Sequence, residues 1–187
     1  MDDAALTAHE HLEHAEHAAH ERDPHTSLVA ITIAVLAVGA SVVSSLENFE
    51  STAAITAGNG AVLAQDQATD QWAFFEAKSL KKNLFAIAAT QGGPHAADFD
   101  KKSKEEGAGQ DEAQADAKHL EDQREALIKQ SEAHETRHHH LTIGATLLEM
   151  GIALSTIAIV TKRRWPWFAA LALGAVGAIV SGAAYLV

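Results

Sequence analysis

The chain has 187 residues, no cysteine and a formal net charge of −11, from 14 Lys+Arg against 25 Asp+Glu. This length allows one domain or one small membrane protein, and the acidic balance argues against nucleic-acid binding because no basic surplus can displace counterions from phosphates. The absence of cysteine excludes disulfides, thiolate metal sites and cysteine nucleophiles. The mean hydropathy of −0.05 resembles that of a soluble protein only as an average, because apolar and charged residues lie in separate blocks.

Residues 1–27 form an acidic tail rich in histidine, glutamate and alanine. In this tail histidines recur at every third position, so neighbours on a helix could chelate a metal in pairs; they are His11, His14, His17 and His20. A defined site needs a fixed ligand geometry, which nothing in the tail imposes. We therefore favour a solvated acidic helix or tail with pH sensitivity. Loose binding of a divalent transition metal is the alternative.

Three segments are nearly free of charge over the ~20 residues that a helix needs to cross a bilayer, and they are residues 28–46, 141–161 and 167–187. Helices buried in a soluble bundle carry a polar face, and the first and third segments carry none. The sequence predicts an all-α integral membrane protein with three transmembrane helices. The first segment starts late and runs into a polar helix, so we interpret it as an uncleaved anchor rather than a signal peptide.

Residues 47–140 are predicted to form a long extramembrane antiparallel helical hairpin. No proline occurs between Leu46 and Thr90, where apolar residues recur at near-helical intervals. A Gln-Gly-Gly-Pro breaker predicts the turn of the hairpin near residues 91–95.

Glycines weaken both arms of this predicted hairpin. Gly58 and Gly60 indicate a kink or cap, and residues 107–109 indicate an interruption that leaves residues 96–109 partly disordered. The second arm is also poor in large apolar side chains, so a pair of arms is marginal alone. We therefore expect several hairpins to pack together as a coiled coil, or a partner to cover the first arm.

The short loop at residues 162–166 carries Lys162, Arg163 and Arg164. Short loops rich in Lys and Arg stay cytoplasmic, whereas long segments translocate with little regard to charge. We therefore expect a cytoplasmic amino terminus and a periplasmic hairpin. The reverse orientation stays open, because the hairpin also carries basic residues close to the second span.

Polar residues near and within the second span are candidates for function. His134 and His138 share a helix face and could ligate one metal, although polar anchoring at the membrane boundary is the commoner role. Glu149 is the sole acid inside a span, where carboxylates are costly and are functional candidates by default. We interpret Glu149 as a hydrogen-bonding link between helices, with a proton- or ion-conducting element as the alternative.

The third span carries small residues at a spacing of four, which predicts a close helix-packing face; they are Ala170, Gly174, Ala178 and Gly182. No Gly-rich phosphate loop, nucleophile elbow or metalloprotease motif occurs in the chain. We therefore do not expect an enzyme.

The stretch from Ala64 to Lys81, with Asp-Gln-Trp followed by two aromatics and Ala-Lys-Ser, resembles the signature of a family of uncharacterised bacterial membrane proteins, domain of unknown function 4337. The leader and the late pair of spans around a basic loop are similar too. The resemblance implies a bacterial inner membrane and supplies no activity. This chain has phenylalanines where tyrosine is usual, and Glu149 where glutamine is common. The resemblance selects five residues on the first arm: Asp70, Gln71, Trp72, Lys78 and Lys81.

Taken together, these features predict a non-enzymatic membrane scaffold or accessory subunit that forms a homo-oligomer or joins a larger membrane protein complex. A metal- or pH-responsive protein that uses the amino-terminal histidines is one alternative. A proton- or ion-conducting element around Glu149 is another. Beyond a loosely held metal we expect no cofactor.

Overall fold

The computed structural model describes residues 24–186, which form three α-helices. Helix α1 spans Pro24–Thr90, α2 spans Ala96–Thr161 and α3 spans Trp165–Ala183. No strand occurs among the described residues, so the all-α class is confirmed. The contacts divide these residues into unit 1, residues 24–54 with 133–186, and unit 2, residues 55–132.

Unit 2 is an antiparallel pair of helices whose seam is mostly alanine. On α1, buried alanines follow at intervals of four, three and four residues, and on α2 at an interval of four; they are Ala57, Ala61, Ala64 and Ala68, and Ala113 and Ala117. This spacing is typical of a coiled coil. Cross-helix contacts join Trp72 to Glu121 and Lys78 to Glu106. Trp72 precedes Lys78 on α1, whereas Glu121 follows Glu106 on α2, so the two helices run antiparallel.

The turn between α1 and α2 depends on two glycines. Gly92 and Gly93 have φ angles of 75° and 102°, a left-handed conformation that glycine adopts at little cost. Helix α1 ends directly before this turn, and α2 begins at Ala96.

The glycines at residues 107–109 do not interrupt α2, so the predicted break and the disorder of residues 96–109 are wrong. A Cβ atom placed on Gly109 would lie 3.2 Å from Lys78 Cε, and one placed on Gly107 would lie 3.6 Å from the stem of Lys82. The two glycines therefore make room for long side chains that cross from α1. This packing outweighs the ~1 kcal/mol by which glycine disfavours a helix.

Helix α1 runs through Gly58 and Gly60 without a break, so the alternative of a helix cap at these residues is wrong. A Cβ atom on Gly60 would lie 3.3 Å from Leu127 Cδ1, and one on Gly58 would lie 3.5 Å from Ser131 Oγ. These glycines again lie where α2 approaches closely.

Unit 1 contains the main apolar core, to which α1 and α2 contribute large side chains. Val29 and Ile33 of α1 and Leu141, Leu148 and Ile152 of α2 are at most 5% exposed. Their intervals of four and seven residues follow the same coiled-coil spacing as the alanines of unit 2. Helix α3 adds a narrow face of small residues: Pro166, Ala170, Gly174, Gly177 and Ser181.

The outer surface of unit 1 is apolar on all three helices. Val35 of α1, Val160 of α2 and Ile179 of α3 are 66%, 78% and 70% exposed, respectively. A helix at the surface of a water-soluble bundle would present polar residues there. All three helices are long and apolar enough to cross a membrane, consistent with a membrane protein.

Two of the four small residues that the sequence predicts for the packing face of α3 lie on that face. Ala170 and Gly174 are buried, whereas Ala178 and Gly182 are exposed and the face continues through Gly177 and Ser181. Each step of four residues rotates by ~40° beyond a full turn, so a straight contact must alternate steps of four and three.

Substitution of Gly177 by alanine tests the close approach of α3 to α2. Its Cβ atom would lie 2.8 Å from the backbone oxygen of Gly144, so the helices must separate. We expect Gly177→Ala to destabilise the protein by about 1–3 kcal/mol, as overpacking does. Gly182→Ala is the matched control, since nothing lies within 4 Å of the added atom. Thermal unfolding in detergent, followed by circular dichroism, makes the comparison. Equal melting temperatures for the two variants would contradict the packing.

Candidate functional site

Paired polar side chains lie in unit 1 at the ends of the apolar stretches of α1 and α2. We call them the boundary cluster: Glu47 and Glu50 of α1, and His134, His138 and Thr142 of α2. Residues three or four apart share a helix face, so each helix presents its members on one side. The cluster continues the buried positions of the apolar core, because Leu141 of α2 and Val43 of α1 occupy the adjoining turns.

Glu50 and His134 form the more deeply buried pair of the cluster. Their side chains are 4% and 16% exposed, and Nδ1 of His134 lies 2.5 Å from Oε2 of Glu50. A single proton between the ring nitrogen and the carboxyl oxygen makes this hydrogen bond. A buried carboxylate without such a partner would be strongly unfavourable. The pair therefore joins α1 to α2 at this level of unit 1.

The carboxyl-terminal end of the chain also contacts Glu50. The Tyr185 side chain lies near the Glu50 side chain. The guanidinium carbon of Arg137 lies 5.9 Å from the centre of the Tyr185 ring, within the range of a cation–π contact. Glu50 therefore lies beside His134 of α2 and beside Tyr185, which follows α3.

Glu47 forms the second and more exposed pair of the cluster. Thr142 Oγ1 donates a hydrogen bond of 2.7 Å to Glu47 Oε1. Nδ1 of His138 lies 3.9 Å from the same oxygen, beyond hydrogen-bonding distance. The side chains of His138 and Glu47 are 35% and 23% exposed. This second pair is looser than Glu50 with His134.

The structure pairs the two histidines considered as metal ligands with different glutamates. Among residues 24–186 no three His, Asp or Glu side chains converge as metal ligands would. Chemically, the cluster offers proton-binding groups and charge-assisted hydrogen bonds across two helices. The four tail histidines considered as ligands lie outside the described residues.

The five signature residues of the first arm lie in unit 2, where two of them bind α2 directly. Trp72 Nε1 donates a 2.9 Å hydrogen bond to Glu121 Oε1, and its ring meets Phe75 edge to face at 5.4 Å between centroids. Lys78 Nζ lies 2.8 Å from Glu106 Oε2. Asp70 and Gln71 line shallow grooves between the helices, and Lys81 is exposed.

The ion pair between Lys78 and Glu106 has an electrostatic consequence. The hydrogen bond from Lys78 lowers the pKa of Glu106, and the charges of Lys78 and Lys81 lower it further. A carboxyl whose pKa is lower in the folded than in the unfolded chain adds stability above its ordinary value of 4.5. That contribution is lost as the pH falls through the lowered pKa of the folded state.

Glu149 lies on the outside of unit 1, in the apolar stretch of α2. It is exposed, whereas the preceding residue Leu148 is buried in the core. No hydrogen bond or ion pair within residues 24–186 involves its carboxyl group. The interhelical link predicted for Glu149 is therefore not formed among the described residues of a single chain.

The model of the family described as Domain of unknown function (DUF4337) matches residues 25–187. The chain belongs to this family. The match confirms the resemblance inferred from the signature stretch. No curated protein and no solved structure matches the chain.

In this DUF4337 protein, the sequence pattern does not predict that Glu47 and Glu50 pair with side chains of α2. Both glutamates directly follow the first apolar stretch, and His134 and His138 directly precede the second. A hairpin that turns near residues 91–95 brings these two segments to the same level. The glutamates and histidines can be paired from sequence only when the predicted turn is used to align the end of the first apolar stretch with the start of the second.

Removal of the Glu50 carboxylate tests the boundary cluster. Glu50→Ala leaves His134 without its hydrogen-bond partner, and an unsatisfied buried polar group costs about 1–3 kcal/mol. We expect a clear fall in melting temperature, measured in detergent. Glu47→Ala is the matched control and should cost less, because water can reach its more exposed partners. A larger effect of Glu47→Ala would contradict the assignment of Glu50 as the central residue.

Proposed function

We propose that this DUF4337 protein is a non-enzymatic membrane scaffold or accessory subunit. Its three apolar stretches cross the inner membrane of a bacterium, and an extramembrane helical hairpin carries an assembly surface. The observation that carries the proposal is the one-sided apolar exposure of unit 2. Its exposed large apolar side chains all belong to α1, and we call them the α1 stripe: Ile55, Val62, Leu63, Phe74, Leu80, Leu84 and Ile87.

The α1 stripe has the character of a protein-binding surface. Soluble monomers rarely expose a large contiguous apolar patch, and such patches mark interaction sites. The exposed surface of α2 in unit 2 is instead dominated by charged and amide side chains. The difference between the two helices favours assembly through α1, with α2 facing water.

A second copy of the chain is the occupant we propose for the α1 stripe. The seam inside unit 2 is mostly alanine, and such small side chains bury little apolar area, which limits the stability of an isolated hairpin. Copies anchored in one membrane meet at high effective concentration. Packing of stripe against stripe would bury the large side chains that the alanine seam leaves out. A different membrane protein is the competing occupant.

Membrane insertion is supported by the exposed apolar surface of unit 1 and by the position of the charges. The only described Lys and Arg residues after Arg137 are Lys162, Arg163 and Arg164, all exposed. Because a short basic loop favours the cytoplasmic side, we propose a cytoplasmic amino terminus and a periplasmic hairpin.

The particle mass in mild detergent tests the scaffold proposal. We expect the wild-type protein to form a particle larger than its 19.8 kDa monomer after correction for detergent. The double variant Leu80→Ser, Leu84→Ser should shift the mass towards the monomer without lowering the melting temperature, because both side chains are exposed. Ala115→Ser with Ala126→Ser, on the exposed face of α2, is the control. A wild-type monomer that brings no other protein with it would refute the scaffold.

Cysteine labelling tests the proposed orientation, because the natural chain contains no cysteine. Ala115→Cys reports on the hairpin and Arg164→Cys on the basic loop. In cells with a permeabilised outer membrane, a membrane-impermeant maleimide should label the first variant. It should label the second only after the inner membrane is opened. The opposite pattern would place the hairpin in the cytoplasm.

A further inference from the structure

Glu149 occupies an unusual position for a carboxyl group, because it lies on the outer face of an apolar helix segment. Its neighbours Leu148 and Ile152 are buried at 4% and 5% exposure, whereas Glu149 itself is exposed at the edge of the core-facing side of α2. None of the three apolar stretches of the chain contains Lys or Arg. No residue of those stretches can therefore neutralise a charge on Glu149.

This inference rests on the proposed membrane insertion, which removes water as a partner for Glu149. The hydrocarbon interior of a bilayer offers no hydrogen bonds, so a polar side chain must find its partner in protein. Residues 24–186 of the same chain supply none to Glu149. A second protein molecule can supply the partner.

The outward face of α2 around Glu149 has the composition of a helix-packing surface. Residues at alternating intervals of three and four share this face, and we call them the outer seam: Thr146, Glu149, Ala153, Thr156 and Val160. Apart from half-buried Thr156, all of them are exposed. Small residues allow close approach of helices in lipid, and polar side chains form hydrogen bonds across the contact. The outer seam combines both properties.

The threonines of the outer seam supply acceptors. Thr146 Oγ1 donates to the backbone oxygen of Thr142 at 2.8 Å, and Thr156 Oγ1 donates to that of Ile152 at 3.1 Å. With its proton engaged along its own helix, each hydroxyl oxygen keeps lone pairs for a donor from outside. A helix that packs on this face therefore meets acceptors beside the Glu149 carboxyl group.

We propose that the outer seam is the contact with a second copy of this chain, in which the protonated carboxyl groups of the two Glu149 residues bond to each other. A protonated carboxyl both donates and accepts a hydrogen bond. Two such groups facing each other across a two-fold axis satisfy both, and a two-fold interface places identical residues together. Copies inserted with the same topology run parallel, which brings the outer seams into the same register.

Disulfide formation between copies tests this contact in native membranes. Thr146→Cys and Ala153→Cys place single thiols on the outer seam of a chain without other cysteines. A disulfide requires Cα atoms within about 7 Å of each other, so both variants should form a dimer on mild oxidation. Ile143→Cys is the control, since Ile143 is exposed but lies about 120° around α2 from Glu149. We expect little dimer from it.

Substitutions of Glu149 in the Ala153→Cys chain test the role of its side chain. Glu149→Gln keeps a donor and an acceptor and should preserve the dimer. Glu149→Leu should lower the dimer yield about tenfold, as expected for the loss of interhelical hydrogen bonds. A yield unchanged by Glu149→Leu would overturn the carboxyl pairing.

The other outcomes of these experiments distinguish a failure of this interface from a failure of the scaffold proposal. Equal cross-linking from the outer seam and from Ile143→Cys would overturn this interface, and a cross-link from the seam to a different protein would overturn the second copy as its occupant. In both cases a particle mass above that of the monomer would leave the scaffold proposal standing. A monomeric particle without a partner would overturn the scaffold and this contact together.

Discussion

The seven-residue register of the buried positions in α1 and α2 is the constraint on which the other features depend. In unit 2 the register places alanines at the seam, and in unit 1 it places the large apolar residues of the core. The same register turns Glu50 and His134 inward, where they meet. It also turns Glu149 outward, one residue beyond buried Leu148. A shift of either helix by one residue would rotate its side chains by ~100° and would break all of these contacts at once.

Polar contacts set the alignment of the helices where apolar packing is thin. An alanine seam offers little difference in buried area between neighbouring registers, so the bonds of Trp72 with Glu121 and of Lys78 with Glu106 discriminate between them. An exposed ion pair contributes at most ~1 kcal/mol, whereas leaving one member of a buried pair such as Glu50 with His134 unsatisfied costs about 1–3 kcal/mol. The buried pair therefore contributes most to the alignment, and the partly exposed bonds of unit 2 extend it along the hairpin.

Features that depend on local sequence could be predicted, and features that depend on contacts between helices could not. The all-α class and the apolar stretches follow from periodicity and composition, and the family follows from a local motif. The glycines at residues 107–109 were misread because their favourable contacts with Lys78 and Lys82 come from the other helix. On α3 the small residues at a spacing of four indicated a packing face, but only alternation with a spacing of three keeps that face straight. Glu50 was missed because its partner His134 is distant in sequence.

One physical argument applies to both Glu50 and Glu149. Lipid tails are as apolar as leucine, so apolar contacts alone discriminate poorly between one helix pairing and another in a membrane. A polar group within a seam penalises every arrangement that leaves it unpaired, and so gives specificity at some cost in stability. Glu50 meets this condition within one chain through His134. Glu149 does not, and the proposed scaffold, which would recognise its own copies in the bilayer, has a use for such an unsatisfied group. In this proposal the carboxyl group that destabilises a lone chain in lipid is also the group that favours its assembly.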